Sequence, residues 1–158
     1  MVFLDRDGTL NERVEGYVDR PDDLRMLPGA AAAVRRLNDS GARVVLVTNQ
    51  RGLATGRLTP EAWLAVSARL EEELAREGAV LDHVEMCPHA DGQCDCRKPL
   101  DGLFRRALAL APWAEPSRCA GVGDMPSDVT PADGLGMRTL LLGTDVDDLA
   151  SAVDLLLR

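Results

Sequence analysis

The sequence predicts an α/β domain, a Rossmann-like parallel sheet sandwiched by helices. Three observations carry this. Short apolar, valine-rich runs alternate with helical patterns along the chain, the order that builds βαβ units. The runs are strand-length, far short of a bilayer span. Each of the first four runs ends in a polar, potentially reactive segment, and one parallel sheet gathers such segments on a single edge.

Met1–Leu4 is a short apolar run closing on acidic residues and is predicted as the first strand. Asn11–Leu27 is long and polar and is expected to form a loop or a flap over the site. Pro28-Gly29 opens a helix over "AAAAVRRLNDSG", with Pro near its start and Gly41 at its end. Valine-rich Arg43–Val47 is predicted as a buried strand. Thr59-Pro60-Glu61 starts a helix running to about Glu77, whose Trp63, Val66, Leu70 and Leu74 share one face. Val84–Met86 is a weak strand and Leu103–Leu110 a helix. Arg118–Val122 and Arg138–Leu142 are predicted as strands, and Asp147–Leu157 as the last helix. No repeat or linker interrupts the series, so residues 1–158 are expected to form a single domain.

The chain is 46% hydrophobic and 28% charged, the balance of a soluble globular domain. Its "MVFLDRDG" start lacks a basic segment leading into a long apolar core, so a cytoplasmic location is expected, with no membrane association. The net charge of −8 disfavours nonspecific nucleic-acid binding. A phosphorylated small molecule remains open as a partner, because a site can be positive inside an acidic protein.

The four strand ends read "DRDGTLN", "TNQRG", "CPHADGQCDCRKP" and "GDMPSD". Asp5 and Asp7 make either a turn or a catalytic pair. In the second reading Asp5 attacks phosphorus to form an acyl phosphate, while Asp7 donates a proton and later activates water. Such carboxylates need a cation against an anionic substrate, and Asp124 would complete an oxygen site suited to Mg²⁺. Gly123 lets the backbone come close. Asp128 is either a helix-start residue or the holder of a metal-bound water or a lysine. Thr48 and Asn49 form an ordinary turn or a phosphate contact through a hydroxyl and a backbone N–H. Lys98 is the only lysine of the chain, a surface charge or a point charge for a transferring phosphoryl group.

Cys87-x-His89 and Cys94-x-Cys96 offer two pairs of soft donors. Metal, redox and inert roles are all open to them. Cys₃His is a common structural zinc set, and a reducing compartment favours metal over disulfide. A disulfide across Cys94-x-Cys96 would be strained by its short reach. Cys119 is expected to be a buried small apolar residue, and His83 structural or exposed.

In this order and spacing the four motifs resemble the haloacid-dehalogenase (HAD) superfamily of aspartate-nucleophile phosphatases, from Val2 to about Leu142. The Cys-x-His and Cys-x-Cys-Arg-Lys-Pro block resembles the zinc-containing branch, which includes heptose 1,7-bisphosphate 7-phosphatases and histidinol-phosphatases. The resemblance implies a HAD fold, Asp5 as nucleophile and Asp7 as proton donor. It implies Mg²⁺ on Asp5, the Asp7 carbonyl and Asp124, with Asp128 in support, and Zn²⁺ on Cys87, His89, Cys94 and Cys96 in a loop over residues 87–98. Thr48 and Lys98 would hold the phosphoryl group, with Gly16, Tyr17, Asn49, Arg51 and Arg97 at the substrate. "GYV" and "TNQRGLATGRLT" are closer to the heptose enzymes. The four residues Ala90–Gln93 make a short gap nearer the histidinol-phosphatase pattern. Met125 stands where the heptose enzymes often carry a basic residue, a departure expected to weaken a contact to a second phosphate. No large cap domain is inserted, and a monomer is expected.

Overall fold

The computed structural model describes residues 1–158. Five strands, β1 (Val2–Leu4), β2 (Val44–Asn49), β3 (His83–Cys87), β4 (Ala120–Gly123) and β5 (Arg138–Leu141), form one sheet in the order β3-β2-β1-β4-β5. All four pairings are parallel. The helices are α1 (Ala30–Asp39), α2 (Gly52–Thr55), α3 (Pro60–Arg76), α4 (Gly102–Ala109), α5 (Pro126–Gly134) and α6 (Leu149–Leu156).

Alternation along the strands sorts the core into two layers, because successive side chains point to opposite faces. Val2, Leu4, Val44, Leu46, Val122 and Leu140 pack with apolar residues of α1, α3 and α6. Phe3, Val45 and Val47 face the other way, against Leu103 and Phe104 of α4 and Ala132 of α5. The Phe3 and Phe104 rings lie 5.0 Å apart and are fully buried. Burial of each contributes about 2–3 kcal/mol. β3 is an edge strand with Val84 exposed, which accounts for its weak apolar signal.

The expected helices and strands are present with shifts of one or two residues at their ends. Pro60 is in the first turn of α3, and the Thr59 hydroxyl accepts from the Ala62 N–H at 3.1 Å, the expected N-cap arrangement. β4 starts at Ala120 rather than Arg118, because Pro116–Arg118 form a 3-10 turn. Trp63 is only half-buried. Its ring lies 5.5 Å from the guanidinium carbon of Arg6 instead of entering the core with Val66, Leu70 and Leu74. α5 carries no apolar stripe: its buried residues are Asp128, Pro131 and Ala132. Periodicity therefore gives no sign of it.

Asn11–Leu27 is irregular apart from a 3-10 turn at Pro21–Asp23. It is nevertheless anchored. The Glu12 N–H donates to the Arg25 carbonyl at 2.7 Å and the Leu27 N–H to the Leu10 carbonyl at 2.9 Å. Val18 and Leu24 are buried in the larger core layer. Such pinning holds the intervening Arg13–Tyr17 stretch over the carboxyl edge of the sheet.

Candidate active site

Leu4 pairs in register with Leu46 and with Val122. The residues that follow, Asp5 after β1, Thr48 on β2 and Asp124 after β4, therefore emerge together at the centre of the carboxyl edge, the usual ligand position of an open parallel sheet.

Asp5 and Lys98 form the buried middle of this cluster, 5% and 4% exposed. Lys98 Nζ donates to Asp5 Oδ1 at 2.6 Å, lies 2.7 Å from Asp128 Oδ1, and donates to the Val47 carbonyl at 2.8 Å. Its three protons are thus all engaged. Burial lifts the Asp5 carboxyl to about 6, with the negative charges of Asp128 and Asp7 adding to the lift and Lys98 opposing it. Burial also works against charge on Lys98, but Asp5 and Asp128 hold its pKa above the usual value. Asp128 fills both expected roles at once: Oδ2 accepts from the Met125 N–H at 3.0 Å at the start of α5, while Oδ1 pairs with Lys98. A Cβ on Gly123 would lie 2.3 Å from Asp128 Cβ, so only glycine lets α5 bring this carboxylate in.

Asn49 works through Lys98. Its amide nitrogen donates to the Lys98 carbonyl at 3.0 Å, and its amide oxygen accepts from the Lys98 N–H at 3.0 Å. Both ends of this side chain are occupied in locking the lysine backbone. Gln50, for which the sequence offers no role, is buried and donates to Thr48 Oγ1 at 3.0 Å and Asp7 Oδ2 at 3.2 Å. Asp7 Oδ1 in turn accepts from Arg6 Nη2 and Asn11 Nδ2, both at 3.0 Å. Arg6 is 1% exposed, an unusual setting for a guanidinium. Arg6 and Asn11 reach Asp7 from one and four residues away, whereas Gln50 reaches it across 43 residues, a contact that depends on β1 and β2 lying side by side.

Asp124 faces Arg13. Nη2 of Arg13 donates to Oδ1 at 2.8 Å, to Oδ2 at 3.0 Å and to the Asp7 carbonyl at 2.9 Å, and Nε reaches Oδ2 at 3.2 Å. The hydrogen bonds to Asp124 hold the Arg13 pKa above its ordinary value, with Asp5 and Asp128 adding through space. Gly8 sits beneath Asp124 with φ of 91°, and a Cβ there would lie 2.1 Å from Oδ2. Gly8→Ala is expected to displace Asp124 and lower stability by about 1–3 kcal/mol, read from the midpoint of urea denaturation.

Asp5, Asp7, Arg13, Gln50, Lys98 and Asp128 line a cavity of about 320 Å³, within the size range of small-molecule sites. Gly16, Tyr17, Thr48, Asn49, Arg51 and Arg97 all line it, so the expected substrate residues converge there. Arg97 also pairs with Asp91. Met125 is in the wall as an uncharged side chain.

Beside the cavity, Cys87, His89, Cys94 and Cys96 place one ligand atom each within 4.8 Å of one another. The Cys87 Sγ to Cys94 Sγ and Cys87 Sγ to His89 Nδ1 separations are both 3.6 Å, and Cys96 Sγ is 3.5 Å from His89 Nδ1. Tetrahedral ligands at the usual zinc–sulfur distance lie roughly 3.8 Å apart, so the donor set and its spacing fit zinc. The Arg97 N–H donates to Cys94 Sγ at 3.3 Å, tying the cluster to the cationic pair that follows. Asp5, Asp124 and Asp128 form a second group with carboxylate oxygens within 4.8 Å of one another. This hard, oxygen-only set fits magnesium, and the guanidinium of Arg13 on Asp124 already serves as a cation there.

A carboxylate pair, a buried lysine and an oxygen-only cation site at the edge of a parallel sheet define a phosphoryl-transfer enzyme. Comparison with known proteins agrees. The HAD-hydrolase-like family model matches residues 95–155. The D-glycero-beta-D-manno-heptose-1,7-bisphosphate 7-phosphatase of Haemophilus ducreyi is 38% identical, over 89% of this chain and 81% of its own. The D-glycero-D-manno-heptose-1,7-bisphosphate 7-phosphatase of Thermosynechococcus vestitus is 41% identical, over 93% and 80%. The crystal structure of D,D-heptose 1,7-bisphosphate phosphatase from B. bronchiseptica, complexed with magnesium and phosphate, superposes with a TM-score of 0.91 at 33% identity, covering 99% of this chain and 97% of that one. The chain belongs to this family of HAD-like phosphatases.

Proposed function

We propose that this protein is a magnesium-dependent phosphomonoesterase that removes the C7 phosphate of D-glycero-D-manno-heptose 1,7-bisphosphate through an aspartyl-phosphate. The observation that carries the reading is Asp5: a buried carboxylate at the centre of the sheet edge, held by Lys98 beside an oxygen-only cation site. The names of the relatives supply the substrate, and the B. bronchiseptica enzyme holds magnesium and phosphate on a fold of the same shape.

Asp5 would attack phosphorus as the carbon–oxygen side of the ester departs. The leaving oxygen takes its proton from Asp7, whose Oδ1 is held by Arg6 and Asn11 while Oδ2 has a single partner, Gln50 at 3.2 Å. Asp7 then draws a proton from the water that opens the acyl phosphate, releasing inorganic phosphate and restoring Asp5. Lys98 exchanges its bond to Asp5 for one to a phosphoryl oxygen as the carboxylate loses its charge, and Thr48 donates its hydroxyl proton to another. Asp5, Asp124 and the Asp7 carbonyl would hold magnesium, which supplies charge neutralisation for the transferring group. Cys87, His89, Cys94 and Cys96 would hold a zinc ion that shapes the loop at 87–98 within a single domain. No helix is long and apolar enough to cross a membrane, and we place the enzyme in the cytoplasm as a monomer.

Phosphate release from both anomers of the bisphosphate, heptose 7-phosphate and histidinol phosphate, compared at pH 8 by kcat/KM, tests the assignment. A heptose bisphosphate is expected to exceed histidinol phosphate by at least about a hundredfold. The reverse order would move the protein to the histidinol branch.

A further inference from the structure

We propose that Arg13 holds the place of the divalent cation, and that magnesium enters by displacing it. The inference rests on the magnesium reading above. Three oxygen sources are assigned to the metal there: the Asp5 and Asp124 carboxylates and the Asp7 carbonyl. Arg13 already bridges two of them, with Nη2 on the Asp7 carbonyl and on both Asp124 oxygens and Nε on Oδ2. The fork geometry of a guanidinium suits this bridging.

A dication coordinated by these oxygens would face the guanidinium at ligand distance, with both drawing on the same lone pairs. Coulomb repulsion forbids the pair at that separation. Binding is therefore an exchange of one cation for another. Arg13 is free to make it. Its side chain is 51% exposed, and its hydrogen bonds go to these oxygens alone. Arg6, by contrast, is sealed under Trp63 and fixed on Asp7.

Displacement has a second consequence. Arg13 lines the same cavity as Arg51, Arg97 and the uncharged Met125. A guanidinium released from Asp124 stays tethered at that rim and becomes available to an anion. Metal entry thus delivers a cation to the substrate side, so magnesium and a phosphorylated ligand reinforce each other's binding.

The test is calorimetric titration of magnesium into wild-type, Arg13→Gln and Arg13→Lys proteins at pH 8, with and without inorganic phosphate. Circular dichroism confirms that the variants fold. Arg13→Gln is expected to bind magnesium about three- to tenfold more tightly than wild type, the size of a partly exposed ion pair. Arg13→Lys keeps the charge but loses the fork, and is also expected to bind more tightly than wild type. Phosphate should raise magnesium affinity more in wild type than in Arg13→Gln. Equal or weaker affinity in Arg13→Gln overturns the proposal. So does an Arg13→Lys protein indistinguishable from wild type, which would reduce the effect to long-range charge. Failure of all three proteins to bind magnesium would overturn the metal assignment itself, and this inference with it.

Discussion

Asp5→Asn is expected to lower kcat by at least about a thousandfold while leaving the fold intact. The loss follows from the chemistry, since a carboxamide cannot form the acyl phosphate and no second nucleophile stands in its place. Retention of the fold follows from the packing. The side chain is isosteric, its carbonyl oxygen can still accept from Lys98 Nζ, and burial already works against the charge that is removed. The opposing cost is a lysine left with one charged partner, Asp128, instead of two. These effects act in opposite directions, so the melting temperature should move by only a few degrees, about what 1–2 kcal/mol produces in a chain of this size. Steady-state kinetics and calorimetry check the two halves separately. Turnover at the wild-type rate would remove Asp5 from the chemistry altogether.

Loss of zinc is expected to have the second largest effect, and on both properties at once. Chelation, or Cys96→Ser, should remove about one equivalent of metal per chain. Cys87 and Cys96 are almost wholly buried, so an emptied site leaves thiols packed against one another without their common partner. The melting temperature should fall by roughly 5–15 °C. Activity should fall by at least about tenfold, because the loop ends on Arg97 and Lys98 and the Arg97 N–H is bonded to Cys94 Sγ. Zinc, and not magnesium, should restore the chelated protein. Metal analysis with calorimetry decides the matter: a zinc-free protein with unchanged melting and activity would rule out a structural role.

The two predictions differ in how far the sequence alone supports them. Asp5 is legible because it ends an apolar run and precedes Asp7 and Gly8. The Cys–His cluster is legible because its four donors fall within ten residues, and short spacing restricts what such donors can do. Asn49 illustrates the opposite case. Its motif points to a phosphate contact through a backbone N–H and it does line the cavity, but nothing in the motif tells that its side-chain amide closes onto the backbone of Lys98, 49 residues away. For Asp128 the sequence leaves a helix start, a lysine partner and a metal-bound water open, and its two oxygens divide the first two tasks between them. α5 left no trace in the apolar pattern because the residues it buries are Asp128, Pro131 and Ala132.

The α/β class, the order of the elements, the four polar strand ends and the donor types of the Cys–His and carboxylate clusters are all readable along the chain. Each of these is written in local chemistry: apolar periodicity, turn residues, and hard or soft ligands at short spacing. Only the tertiary structure decided that β1 lies at the centre of the sheet, that Gln50 joins Thr48 to Asp7, and that Arg13 rests on Asp124, 111 residues along the chain. Those partnerships have no local signature. They exist because parallel pairing brings the ends of β1, β2 and β4 to one edge, where burial makes each charge find a counter-charge.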